Sequence, residues 1–126
     1  MLSSRREEEL NRVMTNLTAT SDNCYILPLD LSKPETLKEK SEEALKAFGG
    51  IDVLVNNGGI SQRSLFAETE MDTIRRLMEV NFFGSAELTR AVLPSMMEQK
   101  SGHVIVTSSV AGKFGTKFRS GYAASK

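Results

Sequence analysis

Hydrophobic residues in this chain switch repeatedly between a helical and a strand-like spacing. Near the N-terminus they recur at i, i+3, i+4 and i+7, which predicts an amphipathic helix. The apolar stripe of this helix is Leu10, Val13, Met14 and Leu17. The period breaks over residues 18–23. The apolar run 24–29 then predicts a short strand that ends at Asp30, although Pro28 cannot donate a ladder hydrogen bond.

The next helix is indicated by the residues at its two ends. Ser32 and Glu35 have the spacing of an N-terminal capping box, and Pro34 suits a first helical turn. Gly49 and Gly50 predict the C-terminus, because glycine accepts the left-handed conformation that often closes a helix.

A long helix is predicted over residues 70–98, where apolar side chains recur at helical spacing. Thr69 and Asp72 have the spacing of a weak capping box. Three residues that weaken or bend helices lie inside the pattern, so we expect an irregular helix. These are Asn81, Gly84 and Pro94.

Two further strands complete the pattern. Residues 51–55 and 104–106 form nearly continuous apolar runs, which are typical of strands in a sheet covered on both faces. Residues 122–126 have the composition of a helix start. Helices and strands that alternate this closely favour an α/β fold with a parallel sheet, and residues 1–126 are expected to form one such unit.

Composition excludes several classes of function. Lys and Arg number 16 and Asp and Glu number 16, so a formal net charge of zero argues against a nucleic-acid partner bound through a general positive field. Cys24 is the one cysteine and His103 the one histidine, which argues against a disulfide framework and a metal site. No apolar run approaches the roughly 20 residues of a membrane span, and residues 1–10 do not resemble a signal peptide. The chain as written is expected to be soluble.

Three predicted strands end in polar or glycine-rich residues. Asp30 follows one strand, Asn-Asn-Gly-Gly at 56–59 the second, and Thr-Ser-Ser at 107–109 the third. In open α/β sheets ligands bind in the crevice beyond the carboxyl ends of the strands, so three such ends indicate a binding site. Taken singly, each segment is equally typical of a turn or a helix cap.

Tyr122 and Lys126 form the pair with the clearest chemistry. They are four positions apart and would lie on one face of a helix. An ammonium close to a phenol favours the phenolate and lowers a pKa that starts at about 10, which would let a tyrosine act as a general acid or base. The alternative is an ordinary Tyr/Lys pair on a solvated face.

Several segments in the same order resemble motifs of the short-chain dehydrogenase/reductase family. They are Gly-His-Val-Ile-Val-Thr-Ser-Ser-Val-Ala-Gly at 102–112 and Gly-Tyr-Ala-Ala-Ser-Lys at 121–126. Asn-Asn-Gly-Gly at 56–59 is similar to the family's Asn-Asn-Ala-Gly, with Gly58 in place of alanine. Val-Asn-Phe-Phe-Gly at 80–84 is similar to its helix asparagine motif. Within the family, residues 57–64 and 94–103 most resemble the dehydrogenase/reductase member-seven subgroup.

The resemblance implies a Rossmann-type doubly wound parallel sheet with helices on both faces, and it implies residue roles. Tyr122 would be the acid or base at the substrate oxygen, and Lys126 would assist it and bind the nicotinamide ribose. Ser109 would hold the substrate oxygen, and Asn81 would hold a water that relays protons. The family's cofactor contacts fall on Asp30, Leu31, Asn57, Gly58 and Gly59.

Cofactor choice depends on Ser4 and Arg5, which the resemblance places just after a strand. An acidic residue there would bind the ribose 2′-hydroxyl of NAD, whereas Ser4 and Arg5 suit the 2′-phosphate of NADP. We therefore favour NADP over NAD. The alternative is that Arg5 and Arg6 pair with Glu8 and Glu9 on an exposed helix face.

The resemblance also sets expectations for the whole protein. It implies a carbonyl or secondary-alcohol substrate, steroid-like or retinoid-like, a homodimer or homotetramer, and an endoplasmic-reticulum membrane location. The family's first strand and glycine-rich pyrophosphate turn have no match before Asp30, and the chain stops at Lys126. We therefore expect a unit truncated at both ends and inactive by itself. The alternative to an enzyme fragment is a non-catalytic interaction module that keeps the surface of the long helix.

Overall fold

A computed structural model describes residues 1–17 and 23–126 of the chain. The break in periodicity predicted over residues 18–23 lies, apart from Asn23, outside the described residues. No helix in the described ranges is long and apolar enough to cross a membrane.

The first part of the chain is a parallel strand–helix–strand unit. Strand β1 is Leu2–Ser4, helix α1 is Glu7–Asn16 and strand β2 is Ile26–Pro28. The strands pair in parallel, with Leu2 opposite Ile26 and Ser4 opposite Pro28. Leu10 of α1 and Leu27 of β2 are buried, and so is Cys24, a free thiol just ahead of β2. The predicted helix and strand are confirmed, and the strand is shorter than the apolar run.

Helix α2, Pro34–Ala47, begins at the predicted proline but without the predicted capping box. Ser32 donates its hydroxyl to Asp30 Oδ1 instead of accepting from the helix, and Lys33 occupies the N-cap position. Ser32 lies one position ahead of the N-cap, and its hydroxyl bonds to the carboxylate two residues before it. After the helix ends, Gly49 has φ +76°, the left-handed conformation expected there.

The long helical region is irregular, as predicted. Helix α3, Met71–Met78, passes through a π-helical turn, Glu79–Phe83, into helix α4, Gly84–Gln99. The predicted capping box at its start is wrong, because Thr69 donates its hydroxyl to Leu65 O and Glu70 is the N-cap residue. Pro94 is accommodated inside α4.

Helix α4 packs on α2, and several of the most buried side chains of the described residues lie there. Leu37 of α2 and Val92 of α4 each retain 1% exposure. Ser41 is buried in α2, where its hydroxyl donates to Leu37 O at 2.7 Å. Satisfying that hydroxyl within its own helix lets a small polar residue occupy an apolar interface.

A second pair of parallel strands follows along the chain. Strand β3 is Val53–Asn56 and strand β4 is His103–Val106, with Val53 opposite His103 and Asn56 opposite Val106. Asn56 donates to Thr89 Oγ1 of α4 at 2.9 Å, which fixes this sheet against the helix layer. A short helix α5, Ser120–Ala124, follows.

The four described strands form two separate two-stranded sheets, β1–β2 and β3–β4. The expectation that both faces of β3 and β4 are covered is wrong for the described residues. Val53, Val55 and Ile105 are about half exposed, at 49%, 55% and 51%. Because paired residues of a parallel ladder share a face, Val55 and Ile105 lie together on one side, and Val104 and Val106 on the other side of β4 are also exposed, at 39% and 65%.

Candidate active site

A cavity of about 250 Å³ lies between the two sheets, at the carboxyl ends of β1 and β3. It brings together seven residues that the sequence analysis assigned to cofactor binding, from three separate segments. These are Ser4, Arg5, Asp30, Leu31, Asn57, Gly58 and Gly59. Val80 and Leu88 of the helix layer add apolar surface to its wall. A polar rim with an apolar wall is the usual composition of a small-molecule site.

The carboxylate of Asp30 is fixed at the rim of the cavity by its own turn. Asp30 Oδ1 accepts from Ser32 N at 2.9 Å and from Ser32 Oγ at 2.8 Å. Burial acts to raise the pKa of Asp30, but these two hydrogen bonds, with the positive charges of Arg5 and Lys33 nearby, lower it overall. The group therefore remains an ionised acceptor that faces the site.

Leu31 is enclosed by two glycines from different elements. The position that a Cβ would take on Gly58 lies 2.6 Å from Leu31 Cδ1. The corresponding position on Gly84, the first residue of α4, would collide with the carbonyl oxygen of Leu31 and lies 2.8 Å from its Cβ. The loop after β2 thus approaches both the loop after β3 and the helix layer more closely than side chains would allow.

Asn81 connects the π-helical turn to the loop that follows β3. Its amide clamps one residue at both backbone groups: Oδ1 accepts from Ile60 N at 2.8 Å, and Nδ2 donates to Ile60 O at 2.9 Å. Nδ2 also donates to Ser125 Oγ at 2.8 Å. Asn81 and Ser125 are buried, at 9% and 7% exposure, so this network fixes the loop, the π-helical turn and the end of α5 relative to one another.

Tyr122 lies in the middle of α5, and its ring is half-buried. The Arg119 guanidinium lies 5.6 Å from the ring centroid, within the range of a cation–π contact. The neighbouring Gly121 is buried against α3, where an added Cβ would be 3.0 Å from Leu77 Cδ1. The close approach of Gly121 to α3 sets the position of Tyr122.

Lys126 lies two positions beyond the end of α5, so the expectation that it shares a helix face with Tyr122 is wrong. Its Nζ donates to Thr107 O at 3.0 Å, and Ser108 Oγ donates to Lys126 O at 2.8 Å. These two hydrogen bonds hold Lys126 against the loop after β4. Its Nζ also reaches Gly59, where an added Cβ would lie 3.3 Å from Nζ and 3.2 Å from Asn81 Oδ1.

Ser109 follows β4 and caps a single 3-10 turn, Val110–Gly112. Its Oγ accepts from Ala111 N at 3.2 Å. That turn packs on α5, which brings Ser109 and Tyr122 onto neighbouring elements. In the part of the chain that the structure describes, no hydrogen bond joins the two hydroxyl groups.

Sequence reasoning missed the residues that hold the site together. Ser125 lies inside the run 121–126, but the spacing of Tyr122 and Lys126 indicates a role for those two residues and none for Ser125. Ile60 acts through its backbone, which no sequence pattern reveals. The guanidinium of Arg119 donates to Ser61 Oγ and ties the start of α5 to the same loop, across 58 positions of sequence.

Comparison with known proteins places the whole chain within one group. The short-chain dehydrogenase family model matches residues 1–126. Mouse dehydrogenase/reductase SDR family member 7B is 42% identical over 120 residues, covering 94% of this chain and 37% of the relative. An Anopheles gambiae dehydrogenase/reductase SDR family protein 7-like is 47% identical over 131 residues, covering 100% of this chain and 41% of the relative.

Solved structures agree with the sequence relatives. A short-chain dehydrogenase from Streptomyces avermitilis superposes with a TM-score of 0.90 at 36% identity, covering 98% of this chain and 44% of that one. ElxO with NADP bound superposes with a TM-score of 0.87 at 27% identity, covering 98% of this chain and 50% of that one. The chain spans about two fifths of the length of these curated relatives and about half of the matched structures.

Proposed function

The chain belongs to the short-chain dehydrogenase family, and from that membership we propose that it carries the nucleotide site and the acid–base site of an NADP(H)-dependent oxidoreductase. The reaction is reduction of a carbonyl or oxidation of a secondary alcohol. The observation that carries the proposal is at Gly59. This residue lines the cavity, and the space where its side chain would be lies beside Lys126 Nζ and Asn81 Oδ1. The nucleotide cavity and the catalytic residues therefore meet at one position.

The residues present fit a dinucleotide. Gly59 leaves its part of the cavity wall without a side chain, so backbone can approach a ligand closely there. Asp30 offers a fixed carboxylate at the rim, and Ser4 with Arg5 offers a donor and a positive charge. When bound, the nicotinamide supplies the hydride that the protein itself lacks.

In the proposed mechanism the chain's own residues move the proton and hold the substrate. Tyr122 gives its phenolic proton to the carbonyl oxygen in reduction and takes it back in oxidation. Ser109 donates a hydrogen bond to the same oxygen. Lys126 binds the nicotinamide ribose and passes on the proton that Tyr122 needs, through a water held by Asn81. The Asn81 amide keeps one acceptor site on Oδ1 for that water after its contact with Ile60.

Tyr122→Phe tests the acid–base role. In the protein expressed from its longest reading frame, we expect carbonyl reduction to fall by about 10²–10⁴-fold, the usual contribution of a general acid. Tyr25→Phe is the matched control, because it removes the other tyrosine hydroxyl, which donates to Glu43 on the surface of α2. Steady-state rates of the Tyr122 variant within threefold of wild type would exclude the role.

NADP preference rests on Arg5. Arg5 lines the cavity, and Glu9, its suggested partner in the alternative, is paired with Arg12 at 2.8 Å. We expect Arg5→Ala to weaken NADPH binding about tenfold and NADH binding much less, since only NADPH carries the 2′-phosphate. Fluorescence titration of both cofactors measures the difference. Equal losses would make Arg5 a general surface charge.

Three further properties of the whole protein are proposed from the family. The substrate is a small steroid-like or retinoid-like carbonyl or alcohol, and the complete protein is attached to the endoplasmic-reticulum membrane. It forms a homodimer or homotetramer in which the long helix contacts its copy. The exposed Leu93 and Met97 of α4, at 42% and 69%, support that contact surface.

A further inference from the structure

The nucleotide cavity contains a packing arrangement that the family roles do not explain. Leu31 lines the cavity, and its side chain extends over Gly58 into the volume where a methyl group of residue 58 would be. Among the described glycines only Gly49 has a positive φ, so the backbone at Gly58 would accept alanine. An alanine at position 58 is therefore opposed by space alone, and the occupant of that space is the movable end of the Leu31 side chain.

The backbone of Leu31 has no room to move away from Gly58 towards the helix layer. Its backbone is pressed against Gly84, whose missing side chain would collide with the Leu31 carbonyl oxygen. Gly84 lies at the start of α4, in the helix layer that Asn56 and Thr89 fasten to β3. With its backbone blocked on that side, Leu31 can respond to a larger residue at position 58 only by rotating its side chain. The open space beside it is the cavity.

We propose that Gly58 and Leu31 form a size-matched pair that keeps the Leu31 side chain out of the nucleotide cavity and so determines the room for the adenosine half of the cofactor. The proposal rests on the proposed function, because it assumes that the ligand of this cavity is a dinucleotide. It makes Leu31 a residue that sets the affinity for the cofactor through the size of its side chain. It also explains how Gly58 can replace the alanine of the family motif, since Leu31 supplies the missing volume.

The proposal predicts that restoring the family's alanine impairs binding. We expect Gly58→Ala to raise the Kd for NADPH about tenfold, which corresponds to about 1.4 kcal/mol. The double variant Leu31→Val with Gly58→Ala moves one methyl group from residue 31 to residue 58. Because volume-conserving exchanges are the best tolerated, we expect its Kd to return to within threefold of wild type. Gly115→Ala is the control, since an added Cβ there meets nothing within 4 Å.

The experiment is a cycle of four proteins, each expressed from the longest reading frame: wild type, Gly58→Ala, Leu31→Val and the double variant. Kd values for NADPH and NADH are measured by fluorescence titration, and Tm is measured without nucleotide. Wild-type binding with no loss in Gly58→Ala overturns the size-matched pair, and so does a loss that the double variant fails to restore. A wild-type protein that binds neither nucleotide overturns the proposed function and, with it, the assignment of the pair to a nucleotide. In that case the Tm cycle still reports whether the two residues are sterically coupled.

Discussion

Asp30 contributes to the site through a turn that it builds for itself. Its carboxylate accepts both the backbone N–H and the hydroxyl of Ser32, an Asx-type arrangement that replaces helix capping. The same contacts keep Asp30 charged at the rim of the cavity. One local interaction therefore both shapes the loop after β2 and fixes a carboxylate beside the cavity.

The lowered pKa of Asp30 predicts a dependence of stability on pH. Because the folded-state pKa lies below the unfolded value of about 3.9, the stabilisation is complete above that pH and is lost as the pH falls through the folded-state pKa. We expect Asp30→Asn to be less stable at neutral pH and to lose less stability on acidification. Urea unfolding between neutral and acidic pH measures this, with the exposed Asp52→Asn as control. Parallel acid-induced losses in wild type and Asp30→Asn would contradict it.

Ser125 carries a second prediction at this scale. Replacing it with alanine leaves one N–H of the buried Asn81 amide without its acceptor, which costs roughly 1–3 kcal/mol of unfolding free energy. Ser120→Ala, at the exposed start of the same helix, is expected to change stability by less than about 0.5 kcal/mol. Chemical denaturation compares the two variants. Equal effects would show that the network around Asn81 does not depend on Ser125.

The elements show which sequence signals are reliable. The long helix, its irregular middle and the proline start of α2 follow from apolar periodicity and residue chemistry, and the structure confirms them. Both capping boxes are wrong, because each helix begins one residue later than predicted and Lys33 and Glu70 take the N-cap positions. Spacing alone does not fix the first residue of a helix to within one position.

The residues that line the candidate site could be predicted from the sequence, but the hydrogen bonds that join them could not. Strand ends and family motifs mark seven candidate cofactor residues, and all seven line one cavity. The Asn81 clamp on Ile60 could not be named, because it joins a side chain to a backbone 21 positions away. The π-helical turn that directs Asn81 towards this loop likewise depends on tertiary packing, although irregularity at that point was expected.

Gly84 tests the packing between elements. Alanine inside a helix is usually about 1 kcal/mol more favourable than glycine, so propensity predicts that Gly84→Ala stabilises α4. The collision with the Leu31 carbonyl oxygen opposes this, and overpacking typically costs about 1–3 kcal/mol. We expect net destabilisation in urea unfolding, against the exposed Glu98→Ala as control. A more stable Gly84→Ala would mean that the loop after β2 yields without cost.

At the scale of the whole molecule, the four described strands form two separate sheets, so pairing between strands stabilises the fold only weakly. Sheet β1–β2 has strands of three residues, and β4 leaves apolar side chains exposed on both of its faces. No ladder hydrogen bond joins the two sheets within the described residues, although the cavity needs both. The most buried side chains of the described residues lie mainly in the helices, with Leu37 in α2, Leu77 in α3 and Val92 in α4.

We therefore expect the 126-residue chain by itself to show no dehydrogenase activity and no tight cofactor binding. Its thermal unfolding should be broad, and backbone amides of β1 and β2 should exchange with solvent faster than those of α2 and α4, because local stability follows burial. NADPH titration, thermal unfolding and hydrogen exchange measure these properties. Micromolar NADPH affinity together with one cooperative transition would show that the chain is a self-sufficient domain.

The buried thiol of Cys24 makes the behaviour of the shorter sheet directly observable. As the one cysteine of the chain, it lies just ahead of β2 in the unit whose amides are expected to exchange first. A thiol-reactive dye can modify Cys24 only after that unit opens, so the rate of labelling reports how often the unit opens. Added nucleotide that contacts both Ser4 and Asn57 would hold the two sheets together and lower the rate of Cys24 labelling. This measurement requires neither substrate nor turnover.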